Sequence, residues 1–135
     1  MSQKQELFTR RTAEELWEPW SIDRKDLAGF EIRIERPVGA EYRRSVGGAG
    51  SNNLEAADRF CRLAVTGWRG LTPSVLDALG FDTAEEAKAM SEISFHANRL
   101  GSLLDADPPH ATWLALRIHE RLAAQAALET DRGNA

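Results

Sequence analysis

The sequence predicts a mainly α fold, a compact bundle of four to five helices opened by one small N-terminal β-hairpin. Three observations lead there. From residue 52 onward, apolar side chains recur at three- and four-residue spacing, the period of a helix with one buried face. Before that point the clearest periodicity is the alternation in Phe30-Glu31-Ile32-Arg33-Ile34-Glu35, which is the period of a half-exposed strand. Caps and breakers then cut the helical part into pieces at Thr72-Pro73, Gly80, Asp82, Ser94 and Asp107-Pro108. A chain of 135 residues fits one domain. Its segments divide into an N-terminal arm with a short helix (1–29), a helical domain opened by the hairpin (30–129) and a flexible tail (130–135).

In the arm, Thr12 followed by Glu15 is a capping-box pattern that predicts a short helix through Leu16 and Trp17, stopped by Pro19. Trp17 and Trp20 are large apolar surface in a polar stretch and either fold back onto the domain or dock another subunit. After the first strand, Pro37-Val38-Gly39 supplies a turn and Glu41–Val46 a weaker returning strand with Tyr42 facing in. Gly47-Gly48-Ala49-Gly50-Ser51 reads as a hinge, because neither the P-loop nor the dinucleotide spacing is met. Asn52 then caps a helix whose apolar stripe is Leu54, Ala57, Cys61, Ala64, Val65 and Trp68.

Thr72-Pro73 opens a short helix that stops at Gly80, and Asp82 caps another from Ala84 to about Met90. Ser94 caps a third, Phe95 to Leu104. Asp107-Pro108 begins the longest, with the stripe Ala111, Ala115, Ile118, Leu122 and Ala126 widened by Trp113 and Leu114 and an end near Leu128.

Composition narrows the function classes. A hydrophobic fraction of 42% excludes wholesale disorder, and 28% charged residues exclude a membrane bundle. No apolar run reaches the roughly 18–20 residues of a membrane span, and the first twenty residues contain no apolar signal core. With Cys61 alone there is no internal disulfide, which suits a reducing cytoplasm. The formal charge is −4, and 14 of the 17 basic residues are arginine. Leu71 to Met90 has the outline of a helix-turn-helix. Its second helix would carry Glu85-Glu86 toward phosphates and no Arg, Asn or Gln to read bases, which disfavours nucleic acid.

His96, His110 and His119 form no metal-binding spacing, Gly-x-Ser-x-Gly is absent, and Cys61 on an apolar stripe behaves as a small hydrophobe. No catalytic residue, metal or cofactor is expected, and the activity class left open is protein–protein contact.

From Trp68 onward the chain resembles the small tail assembly chaperones of long-tailed phages and prophages. The residues that carry the resemblance are the helix Asn53–Thr66 leading to Trp68-Arg69-Gly70-Leu71, then Glu92-Ile93-Ser94-Phe95, Leu103-Leu104, and Trp113-Leu114 with Ile118. The strand Phe30–Ile34 with its proline turn is similar too. Between Leu71 and Ser91, where the family has a brief turn, this chain carries two additional helices. The resemblance implies a non-enzymatic protein of the host bacterial cytoplasm that keeps a tape-measure protein soluble during tail assembly. Its partners would be that protein or other phage tail proteins, with self-association into a homo-oligomer also open. Candidate contact residues are Trp17, Trp20, Trp68, Met90, Phe95 and Trp113, of which Trp17 and Trp20 stand outside the regular stripes; core packing is the ordinary reading of Trp68 and Trp113. A structural neck or head-tail connector component is the alternative from the same setting.

Overall fold

A computed structural model describes Leu7, residues 15–39 and residues 54–133, with side chains through Thr130. Three short strands, β1 (Leu16–Pro19), β2 (Glu31–Ile34) and β3 (Val65–Arg69), form one antiparallel sheet in the order β1-β2-β3. Among the described residues, five helices join this sheet: α1 (Leu54–Ala64), α2 (Pro73–Ala78), α3 (Glu85–Lys88), α4 (Ala97–Ala106) and α5 (Pro108–Gly133). A single 3₁₀ turn, Lys25–Leu27, joins β1 to β2. The fold is mostly helical, but its β part is a three-stranded sheet and not a hairpin.

The first correction falls on the arm. Leu16–Pro19 is a strand, not the end of a helix, so the boundary expected between residues 29 and 30 runs through the sheet. Alternation explains why. Leu16, Glu18 and Trp20 point into the domain while Trp17 and Pro19 face outward, and the pairs Leu16↔Ile34 and Glu18↔Ile32 set the register. Trp20 N–H donates to the Phe30 carbonyl at 3.0 Å, so by the antiparallel alternation the Pro19 nitrogen points away from the sheet. Proline, which has no N–H, costs no ladder bond at such an edge position. Thr12, the expected second strand Glu41–Val46, the Gly47–Ser51 hinge and the Asn52 cap lie outside the described residues.

The second correction concerns the helix before Trp68. It ends at Ala64, and Val65–Arg69 runs on directly as β3. Two β-branched residues and a glycine, Val65-Thr66-Gly67, suit a strand better than a helix. A register irregularity between Arg33 and Ile34 turns both Thr66 and Gly67 outward, so Val65 and Trp68 are buried three residues apart. That bulge imitates a helical spacing. Phe60, which the expected stripe left out, is fully buried beside Ala57, Cys61 and Ala64, whereas Leu54 is 49% exposed.

Thr72 caps α2 as expected, its Oγ1 accepting from Val75 N–H at 3.2 Å, and Gly80 ends the unit in a left-handed conformation at φ 91°. Asp82 and Ser94 do not cap α3 and α4; Ala84 and His96 stand at those positions without side-chain cap bonds. Ser94 Oγ instead accepts from Arg99 at 2.9 Å. Asp107 Oδ1 accepts from His110 N–H at 3.2 Å at the start of α5. That helix continues to Gly133 and takes in most of the segment expected as a tail. Ala123 to Leu128 are strong helix formers, and no proline or glycine interrupts the run before Gly133.

The core lies between the inner face of the sheet and the layer of α1, α4 and α5. Ile32, Ile34, Phe30, Phe60, Leu100, Leu104, Leu114 and Ile118 are its largest fully enclosed side chains besides Leu71. The Cys61 thiol lies between α1 and α5 and donates to the Ala111 carbonyl at 3.4 Å. The sheet's other face carries Trp17, Arg33, Gly67 and Arg69.

Candidate functional site

Rings from five parts of the chain meet in one continuous column. Phe95 packs edge-on against Trp68 with centroids 4.9 Å apart, and Trp68 packs edge-on against Phe30 at 5.9 Å. Phe30 stacks on Trp20 at 5.2 Å, and Trp20 leans on His110 at 5.0 Å. His110 stacks on Trp113 at 5.1 Å, and the Arg117 guanidinium closes the column 5.4 Å from the Trp113 ring. The column thus crosses the domain from the segment before α4, over the sheet, to the first three turns of α5. Each offset or edge contact adds roughly 0.5–1.5 kcal/mol to the area buried, so the column ties the sheet to both flanking helices.

Four of the six predicted contact residues belong to this column, and burial separates them. Trp20 (3% exposed) and Trp68 (8%) are core residues and present no ring to a partner in this fold. For Trp20 this is the fold-back alternative of the two left open by the sequence; strand geometry, not a loose arm, holds it. Trp68 Nε1–H is satisfied internally by the Ile93 carbonyl at 2.8 Å. Phe95 and Trp113 are partly buried at the two ends of the column. Of the remaining two, Met90 is 49% exposed beyond α3, apart from the column. Trp17 is half-buried on the outward sheet face, where the Arg69 guanidinium lies 4.0 Å above its ring and Glu15 accepts from its Nε1 at 3.3 Å. Arg69 is held in turn by Glu31 at 2.9 Å, and Arg33 lies across Gly67 and donates to Thr66 Oγ1 at 3.2 Å.

Glu18 is the polar centre that sequence reasoning missed. It is 7% exposed on the inward side of β1 and receives two arginines from α5, Arg117 at 3.0 Å and Arg121 at 3.1 Å. A carboxylate there is tolerated because two charge-assisted bonds replace its water. The signal available was the inward parity of Glu18 between Leu16 and Trp20, legible only once the segment is known to be a strand. Arg117 and Arg121 stand four apart on α5, in line with Trp113 and His110 and beside the core stripe.

The titratable groups follow their surroundings. Burial pushes the Cys61 thiol up to about 12, so it remains a neutral thiol packed as a small hydrophobe. Burial between two indoles lowers the His110 imidazole, partly offset by the Trp20 carbonyl and by Asp107. His119 packs edge-on to Phe60 at 6.3 Å. Among the described residues, no group of three or more His, Cys, Asp or Glu is placed to hold a metal ion, and no helix is long and apolar enough to cross a membrane.

At the helical corner, a cleft of about 420 Å³ is lined by Pro73, Asp77, Phe81, Asp82, Thr83 and Lys88. The helix that would read a DNA groove is a single turn, Glu85–Lys88, with Glu85 and Glu86 at its start. Acidic side chains at that end would meet phosphates with like charge.

Comparison of the chain with protein-family models, with curated proteins and with solved structures gives no match.

Proposed function

We propose that the protein is a tail assembly chaperone of the phage and prophage type, which binds a tape-measure protein by protein–protein contact and catalyses no reaction. One observation carries this reading. The resemblance places Trp68-Arg69-Gly70-Leu71 and Glu92-Ile93-Ser94-Phe95 across a brief turn, whereas here α2 and α3 intervene in sequence. In space the two motifs are joined directly. Ile93 N–H donates to the Leu71 carbonyl at 2.7 Å, Trp68 Nε1–H donates to the Ile93 carbonyl at 2.8 Å, and the Trp68 and Phe95 rings pack at 4.9 Å. Gly70 N–H donates to a Glu92 carboxylate oxygen. The intervening residues are therefore an excursion that leaves and returns at adjacent points, which supports reading α2 and α3 as an addition between the two motifs.

For the contact itself, the candidates are Trp17 beneath Arg69 on the outward sheet face and Trp113 beside Arg117 at the end of the column. Tryptophan and arginine are the residue types enriched among interface anchors. The test is affinity purification of the tagged full chain from its native lysate, repeated with Trp17→Ala. Recovery of a long, helix-rich tape-measure protein by the parent, reduced at least tenfold in the variant, is the expected result. Stable rings containing portal, neck or tail-tube proteins would replace the chaperone with a structural connector. Recovery of neither would overturn both.

A further inference from the structure

We propose that His110 is a proton-sensitive latch that holds the end of β1 against the start of α5. The proposal stands on where the ring is placed and does not depend on the identity of any partner. His110 lies between Trp20, which closes β1, and Trp113 on α5, with centroids 5.0 and 5.1 Å away. Its Nε2 is enclosed and meets no hydrogen-bond partner among the described residues. The neutral ring can direct its single N–H toward the Trp20 carbonyl and leave Nε2 as a bare lone pair, which apolar surroundings tolerate.

Protonation changes both terms. It creates an N–H at Nε2 with no acceptor and puts a positive charge in a site walled by two indoles. The charged neighbours are mixed. Asp107 at the start of α5 favours the cation, while Arg24, from the turn between β1 and β2, opposes it. Arg24 is itself tied to Asp26 at 2.6 Å and to the Ala78 carbonyl at 2.7 Å. Arg117 lies against the Trp113 ring at 5.4 Å, and its charge is paired with Glu18 at 3.0 Å. Desolvation outweighs Asp107, so the closed latch prefers the neutral ring.

The sign follows. A histidine whose folded value is lowered binds its proton more readily when the site is open, so the latch is fully held above the ordinary histidine range. It weakens as pH falls from about 6.5 toward the lowered value, and the open fraction rises by up to about tenfold per pH unit in that window. What opens is the end of β1, where Trp20 leaves α5 together with its amide bond to the Phe30 carbonyl, while the Phe30, Trp68 and Phe95 part of the column stays in place.

The experiment compares the full chain with His110→Phe, which keeps a flat ring in the stack and removes the titration. Tryptophan emission and amide exchange of residues 16–20 are followed from about pH 7.5 to about pH 5, a range in which histidine is the side chain whose charge ordinarily changes. In the parent, exchange at the Trp20 amide is expected to accelerate, beyond the intrinsic pH effect, by five- to tenfold, together with a shift in emission. His110→Phe is expected to show neither. A parent whose exchange and emission stay flat, or a His110→Phe chain that responds equally, overturns the proposal. Should the variant fold poorly, the His110 ring-proton titration in the parent decides instead. A midpoint below the usual histidine range supports the latch, and one at or above that range removes it.

Discussion

Glu18 is the residue at which sequence and environment disagree most. An anionic side chain at an inward position of a strand is unfavourable alone, and Arg117 and Arg121 at 3.0 and 3.1 Å make it tolerable. Glu18→Gln keeps the shape and removes the charge, leaving two arginines facing a weaker acceptor. We expect a loss of about 1–3 kcal/mol, the scale of a hydrogen bond to a charged group, seen as a lower urea midpoint at an unchanged slope. Cys61 offers a second check at this scale. Its thiol, enclosed against Ala111 and pushed up to about 12, should resist alkylation at about pH 8 and react fully once denaturant unfolds the chain. Rapid labelling of the native protein would mean that α1 and α5 are not packed as described. Gly70 leaves no room for a side chain. It sits at φ 79°, and a Cβ there would run into the Gly29 carbonyl oxygen. Gly70→Ala should therefore cost about 3 kcal/mol or more, since strain and backbone overlap act together.

At the level of elements, β1 shows how two tryptophans three residues apart acquire opposite roles. Trp20 lies inside the aromatic column and Trp17 outside the sheet under Arg69. Trp20→Ala should cost about 3–5 kcal/mol, as for a large core ring, while Trp17→Ala should stay within about 1 kcal/mol in a thermal or urea melt. Equal losses from the two would contradict the register Glu18↔Ile32. The reason β1 was not legible is physical. Four residues are too few to display a period, and Thr12 with Glu15 supplies a local helix signal that pairing with β2 overrides. β2 was legible because its alternation extends over six residues, Phe30 to Glu35. α5 was legible because its stripe, Ala111 to Ala126, repeats over about four turns and Asp107 caps it, although its end was placed too early. The column was only half legible. Sequence singles out its tryptophans as large rings, but their order depends on a strand, a bulge and a helix that meet only in the tertiary fold.

For the whole molecule, the sheet-and-helix body and the excursion of α2 and α3 bear unequal weight. Of residues 72–92 only Val75 is buried, while Leu76, Ala78, Leu79, Phe81 and Ala87 are partly buried against the core. The excursion touches the rest of the body through Arg24, which reaches the Ala78 carbonyl at 2.7 Å, and it leaves from Leu71 and returns to Ile93 at a backbone hydrogen bond of 2.7 Å. Ends that close can be bridged by a turn of a few residues. Replacing residues 73–90 by a short glycine-containing turn should therefore lower the melting temperature yet leave the aromatic column assembled. The loss should be on the order of 2–4 kcal/mol, the cost of uncovering one buried and several partly buried apolar side chains. Near-ultraviolet circular dichroism reads the outcome, because the tryptophan bands report the stacking of Trp20 and Trp68 and not helix content. Retained bands with a lower midpoint would establish the body as the independent folding unit and α2–α3 as an appendage upon it. Loss of the bands at all temperatures would mean that the appendage is required to hold β3 against Ile93. In that case the two motifs meet only when the residues between them are folded.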